Sequence, residues 1–163
     1  MKHITLFSLA FGLLLAAQPA AAQSGQVFLK LPGVVGTSTV QTHKDEIPIL
    51  SFSIGVSSPQ TRKPGGEVCS DLAVMKVVDQ TSPILFQHAA FGIDFPDGVL
   101  TFAKNTPTGP VDVFQITLKS VSITSVQLSG SSEIPTESVS LRAGSWVASL
   151  NGVTDKATLN CIQ

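Results

Sequence analysis

The side chains best suited to catalysis or metal binding are few: three histidines and two cysteines in 163 residues. His43 stands in the run His43-Lys44-Asp45-Glu46, which packs three ligand-type side chains into four positions. A metal needs ligands converging on one point, and Lys44 in their midst opposes a cation, so the run reads as a solvated turn. His88 falls among apolar residues of a short helical segment and reads as a partly buried or interfacial ring. No Gly-x-Ser-x-Gly elbow occurs after the first 22 residues, and neither cysteine carries a local catalytic signature. No glycine-rich phosphate loop precedes a helix. One Trp and no Tyr argue against a carbohydrate groove. No residue is assigned a catalytic, cofactor-binding or metal-binding role, and the chain is expected not to be an enzyme. A triad assembled from distant residues, as in a small secreted hydrolase, stays open at this point.

The cysteines, Cys69 and Cys161, belong with the start of the chain. Met1-Lys2-His3 is a short basic opening, Ile4 to Ala17 is apolar, and Gln18-Pro19 is followed by Ala20-Ala21-Ala22. That order predicts a secretory signal peptide cut between Ala22 and Gln23. The apolar run, about 14 residues, is shorter than the roughly 18–20 that span a bilayer. Export to a periplasmic or extracellular, oxidising compartment lets a cysteine pair persist as a disulfide, here Cys69 with Cys161. Two buried free thiols are the alternative.

Residues 23–163 suit one domain, long enough to bury a core without metal. Loss of Lys2 moves the formal net charge from −1 to about −2, which gives no reason to expect nucleic acid or an anionic membrane as partner. Abundant Val, Ile, Ser and Thr, with scattered Gly and Pro, predict strands joined by turns.

The elements that must position these residues follow from side-chain parity. Gln26 to Leu31 is a strand, stopped at Pro32-Gly33. Ile47 to Val56 is another, whose apolar parity shifts at Leu50, which requires a bulge or a bend between sheets. Ser57 to Gly66 is a loop, and Asp71 to Val78 reads as a strand apolar on both faces. Pro83 to Phe91 is the one helix, with Thr81 or Ser82 as N-cap and Gly92 as terminator. Val99 to Ala103 is a strand, and Asn105 to Pro110 a turn. Within Val111 to Leu128, Phe114, Ile116 and Leu118 share one parity, Val121 and Ile123 the other, and Val126 and Leu128 the first again. Glu137 to Leu150 shifts near Gly144, and Lys156 to Ile162 is a closing strand. Phase breaks in long strands suit a small barrel or the corner of a sandwich.

This order of pieces resembles a known family. VFLKLPGVVG from Val27, THKDEIPILSFSIGVS from Thr42, DLAVMKVVDQTSPILFQHAAFG from Asp71, VLTFAK from Val99 and VFQITLKSVSITSVQLSGSSEIPTESVSL from Val113 are similar to the Hcp proteins, the haemolysin-coregulated tube subunits of type VI secretion systems. The resemblance covers about Gln26 to Leu150. It implies a small β-barrel of two packed antiparallel sheets with one short flanking helix. It also implies self-assembly into hexameric rings that stack into a tube, and effector or other secretion-system proteins as partners. Under that reading the two long strands are candidates for the ring wall. The loop residues Gln60, Thr61, Arg62, Lys63, Pro64 and Gly65 are candidates for contact between stacked rings. Family members are made without a cleavable signal, so the start of this chain and its cysteine pair depart from the pattern. A secreted binding module that keeps the fold but serves no secretion machine is the other functional reading.

Overall fold

The computed structural model describes residues 25–57, 68–130, 134–151, 153 and 156–160. The expected signal segment with Ala22 and Gln23, the residues Gln60 to Gly65 of the expected loop, and Cys161 lie outside the described residues. Ten strands and one helix follow in order: β1 (Gly25–Lys30), β2 (Ile47–Ile49), β3 (Ser51–Ser53), β4 (Val56–Ser57), β5 (Val68–Cys69), β6 (Leu72–Val77), α1 (Ser82–Phe91), β7 (Phe95–Thr106), β8 (Gly109–Ser129), β9 (Thr136–Leu150) and β10 (Lys156–Asn160).

Seven of these strands form one antiparallel path, β2-β1-β7-β8-β9-β6-β3, and β10 adds to β9. Only Leu50 separates β2 from β3, yet they sit at opposite ends of the path. The chain can do this only if the sheet curls until its two edges meet. Leu50 sits at that seam, with its N–H donating to the carbonyl of Met75 on β6 at 2.7 Å. The parity shift expected at Leu50 is therefore the place where the strand crosses from one edge of the barrel to the other. β4 and β5 form a separate two-stranded ribbon.

The long strands bend where their parity breaks. Ser120 on β8 has φ 52°, a left-handed conformation that costs a residue with a side chain. Gly144 on β9 lies alongside it, with room for a Cβ only in van der Waals contact with the Ser120 side chain. The ladder passes from Lys119↔Ser145 to Val121↔Ala143 across this pair, and a second irregularity falls between Ile123 and Ser125. Inward residues change parity at both places, so Ile116, Leu118, Val121 and Ile123 all reach the core.

That core is one cluster, drawn from β1, β2, β6, β7, β8, β9 and α1. The helix joins it through Leu85, which is 1% exposed. Burying such a side chain contributes about 1.5–3 kcal/mol. Gly92, at φ 62°, ends the helix and returns its N–H to the carbonyl of His88. The helix begins one residue earlier than expected, at Ser82. The N-cap residue Thr81 makes no side-chain capping bond, because its hydroxyl is engaged elsewhere.

β6 corrects one expectation. Apolar residues lie on both faces, but only one face is buried, and it carries a charge: Leu72, Val74 and Lys76 point inward, while Met75 and Val77 are exposed. The final strand does not close the barrel either, because β10 extends the row begun by β6 along β9.

Candidate functional site

β6 carries a lysine on its buried parity. Lys76 is 0% exposed and stands directly across the ladder from Glu137 of β9, itself 1% exposed. Unpaired, either charge would be very costly to bury. Lys76 Nζ donates to Glu137 Oε1 at 2.7 Å, Val77 O at 2.8 Å and Asp79 Oδ1 at 2.9 Å, which occupies its three N–H groups. Ser82, the first residue of α1, donates its hydroxyl to the same Glu137 oxygen at 2.8 Å and accepts from the Asp79 N–H at 3.0 Å. The cluster thus ties the end of β6, the start of α1 and the start of β9 into one joint. Glu137 Oε2 finds no partner in it.

Asp79 is the outer member of this joint. Burial raises its carboxyl pKa, but hydrogen bonds from Thr81 and Lys76 outweigh that and hold it below the ordinary 3.8. A depressed folded-state value adds stability above 3.8, and that stability is lost as pH falls through the folded value. Asp79→Asn should therefore be less stable than the parent protein at neutral pH, with the gap closing in strong acid. Urea midpoints measured across that range check it, and a gap that does not change with pH contradicts it.

His43 is not solvated. It is 4% exposed, because the 3-10 turn Gln41–His43 points the ring inward. The ring stacks on Phe28 of β1 at 4.3 Å between centroids and 10° between planes. Its Nδ1 faces Glu46 Oε2 at 3.0 Å, and its Nε2 faces Asp112 Oδ1 at 2.9 Å. The Val34–Glu46 loop is thereby clamped to β1 and to the start of β8. Gly36 makes this tight fold possible, since a Cβ there would overlap the backbone of Glu46. With a carboxylate on each ring nitrogen, His43 has no free nitrogen for a substrate proton or a metal. Neither this cluster nor that of Lys76 presents a nucleophile to a cleft.

His88 is intermediate in exposure, as its helical setting suggests. It stacks on Phe95 at 4.2 Å and its Nδ1 faces the carbonyl of Ile93 at 2.9 Å. Cys69 ends β5 opposite Val56. Among the described residues, no helix is long and apolar enough to cross a membrane.

The remaining candidates are surfaces. β8 and β9 pair from Phe114↔Leu150 to Ser129↔Thr136, the longest ladder among the described strands. Pairs such as Gln115↔Ser149, Ser125↔Ser140 and Gln127↔Ser138 give it many small polar side chains. Beside it, Leu50, Met75 and Val77 stay exposed along the barrel seam. Phe86, Phe91 and Ile93 are exposed on and just beyond α1. Sequence reasoning missed the Lys76–Glu137 pair, although each residue shares the parity of buried apolar neighbours on its strand.

A family model described as "Type VI secretion system effector, Hcp" matches residues 28–146. Protein hcp1 of Pseudomonas aeruginosa is 32% identical over 111 residues, 64% of this chain and 68% of that protein. Among solved structures, Hcp1 from Salmonella typhimurium is similar with a TM-score of 0.72 and 25% identity, covering 82% of this chain and 91% of that one. A type VI secretion system effector from Yersinia pestis shares the fold, with a TM-score of 0.71 and 21% identity over 82% of this chain and 98% of that one.

Proposed function

The chain belongs to the Hcp family of type VI secretion proteins, and from that membership we propose that its mature form, residues 23–163, is a non-catalytic subunit of a self-assembled ring. Six copies join head to tail, and rings stack into a tube. The observation that carries this reading is the match to the family over residues 28–146, which runs from within β1 to Trp146 of β9 and so includes at least part of every strand of the barrel path. A heterologous contact closes into a ring when the rotation per subunit fits. The polar β8–β9 wall and the apolar seam beside it are the two faces this reading assigns to neighbouring subunits.

The proposed signal peptide sends the chain through the general export route, with a cut between Ala22 and Gln23. Assembly would then take place in the periplasm or beyond, where Cys69 and Cys161 can bond.

Electron microscopy of residues 23–163 tests the reading. The full mature chain should give rings and short stacks. A variant lacking Gln60 to Gly65 should give single rings of unchanged diameter. Stacks that form equally well without those residues contradict the role given to the loop.

A further inference from the structure

One end of the barrel holds a cavity of about 270 Å³ that neither clamp uses. Its apolar wall is made by Ile54, Leu72, Leu118, Leu141, Ala143 and Trp146, and its polar part by Ser70, Asp71 and Arg142. Barrel mouths of this composition, mostly apolar with a few convergent polar groups, are common ligand sites.

The polar groups differ in how far they are already satisfied. Ser70 Oγ accepts from the Gly55 N–H at 2.7 Å and donates to the Gly55 carbonyl at 3.1 Å. Asp71 accepts from Arg142 Nε on one oxygen at 3.1 Å and from Thr124 Oγ1 on the other at 2.6 Å. Arg142, in contrast, makes no other hydrogen bond among the described residues, so its terminal amino groups retain open donors. Its side chain is 53% exposed, which places the guanidinium at the mouth. An apolar chamber with an unfilled cationic donor at its mouth is complementary to an aliphatic tail ending in an anionic acceptor.

We propose that this cavity binds a medium-chain aliphatic carboxylate. The tail lies against Ile54, Leu72 and Ala143, and the carboxylate meets the terminal amino groups of Arg142. Asp71 is the one negative group at the mouth, and its ion pair with Arg142 offsets its repulsion and holds the guanidinium in place.

The protein carries its own reporter, since Trp146 is the single tryptophan of the chain. Octanoate, titrated into residues 23–163 below its aggregation concentration, should change Trp146 emission saturably. Arg142→Gln should weaken octanoate by about tenfold, the size of a lost charge-assisted hydrogen bond, and leave octanol unchanged. Ala143→Leu should weaken both by filling the chamber. If Ala143→Leu does not fold, the comparison of octanoate with octanol in the parent and in Arg142→Gln still decides. Emission that does not saturate overturns the proposal, as does octanoate binding that Arg142→Gln leaves unaltered.

Discussion

Lys76→Met should destabilise the barrel by about 3–5 kcal/mol, because it leaves the buried Glu137 carboxylate with only the Ser82 hydroxyl as partner. With an m-value of about 2 kcal/mol per molar, the urea midpoint should fall by about 2 M. The size of the loss comes from the orphaned charge, not from the worth of the pair itself. An ion pair at this depth gives back much of its attraction as desolvation. The double variant Lys76→Met with Glu137→Leu should therefore recover most of the loss, while Glu137→Leu alone leaves the lysine its bonds to Asp79 and the Val77 carbonyl and should cost less than Lys76→Met. A single-variant cost under about 1 kcal/mol would place the pair in the class of solvated surface bridges and contradict its burial. The joint also sets the entry of α1, so the single variants should loosen Leu85 and the helix before the rest of the barrel.

The second large effect concerns the cysteines. If Cys69 and Cys161 are bonded, the bridge closes a loop of roughly 90 residues, worth about 4–5 kcal/mol in the chain-entropy model. Protein recovered from an oxidising compartment should show no titratable thiol when unfolded. Reductant should lower its melting temperature, and Cys69→Ser should be equally low and insensitive to reductant. Two thiols titrating in the unreduced, unfolded chain contradict the bridge. The bond bears on function because β10 is held to the barrel through β9 alone among the described strands. A covalent tie from Cys69 to Cys161 would hold the end of the chain to the barrel in an oxidising compartment.

Much of this fold is legible in side-chain parity. The shift at Leu50 marks the crossing between the two barrel edges. The breaks around Ser120 and Gly144 mark the bend of the longest ladder, since a coiled strand must change which residues face inward. What parity could not supply is the identity of inward polar residues. Lys76 follows Leu72 and Val74 on the inward row, and Glu137 precedes Val139 and Leu141. Read as charges they suggest solvent; only their pairing across β6 and β9 makes burial tolerable. His43 failed for a similar reason. Four consecutive polar residues look solvated, and the partners that bury the ring, Phe28 and Asp112, are distant in sequence. The cavity left no sequence signal, because its wall is made of ordinary core residues from different strands.

The central claim is that this chain is a ring-forming subunit, and its mass in solution tests that most directly. Light scattering on residues 23–163, oxidised and at high micromolar concentration, should give six times the subunit mass, or multiples of that ring. A single-subunit mass under the same conditions would contradict the account and mark the protein as a secreted module that keeps the barrel without the assembly.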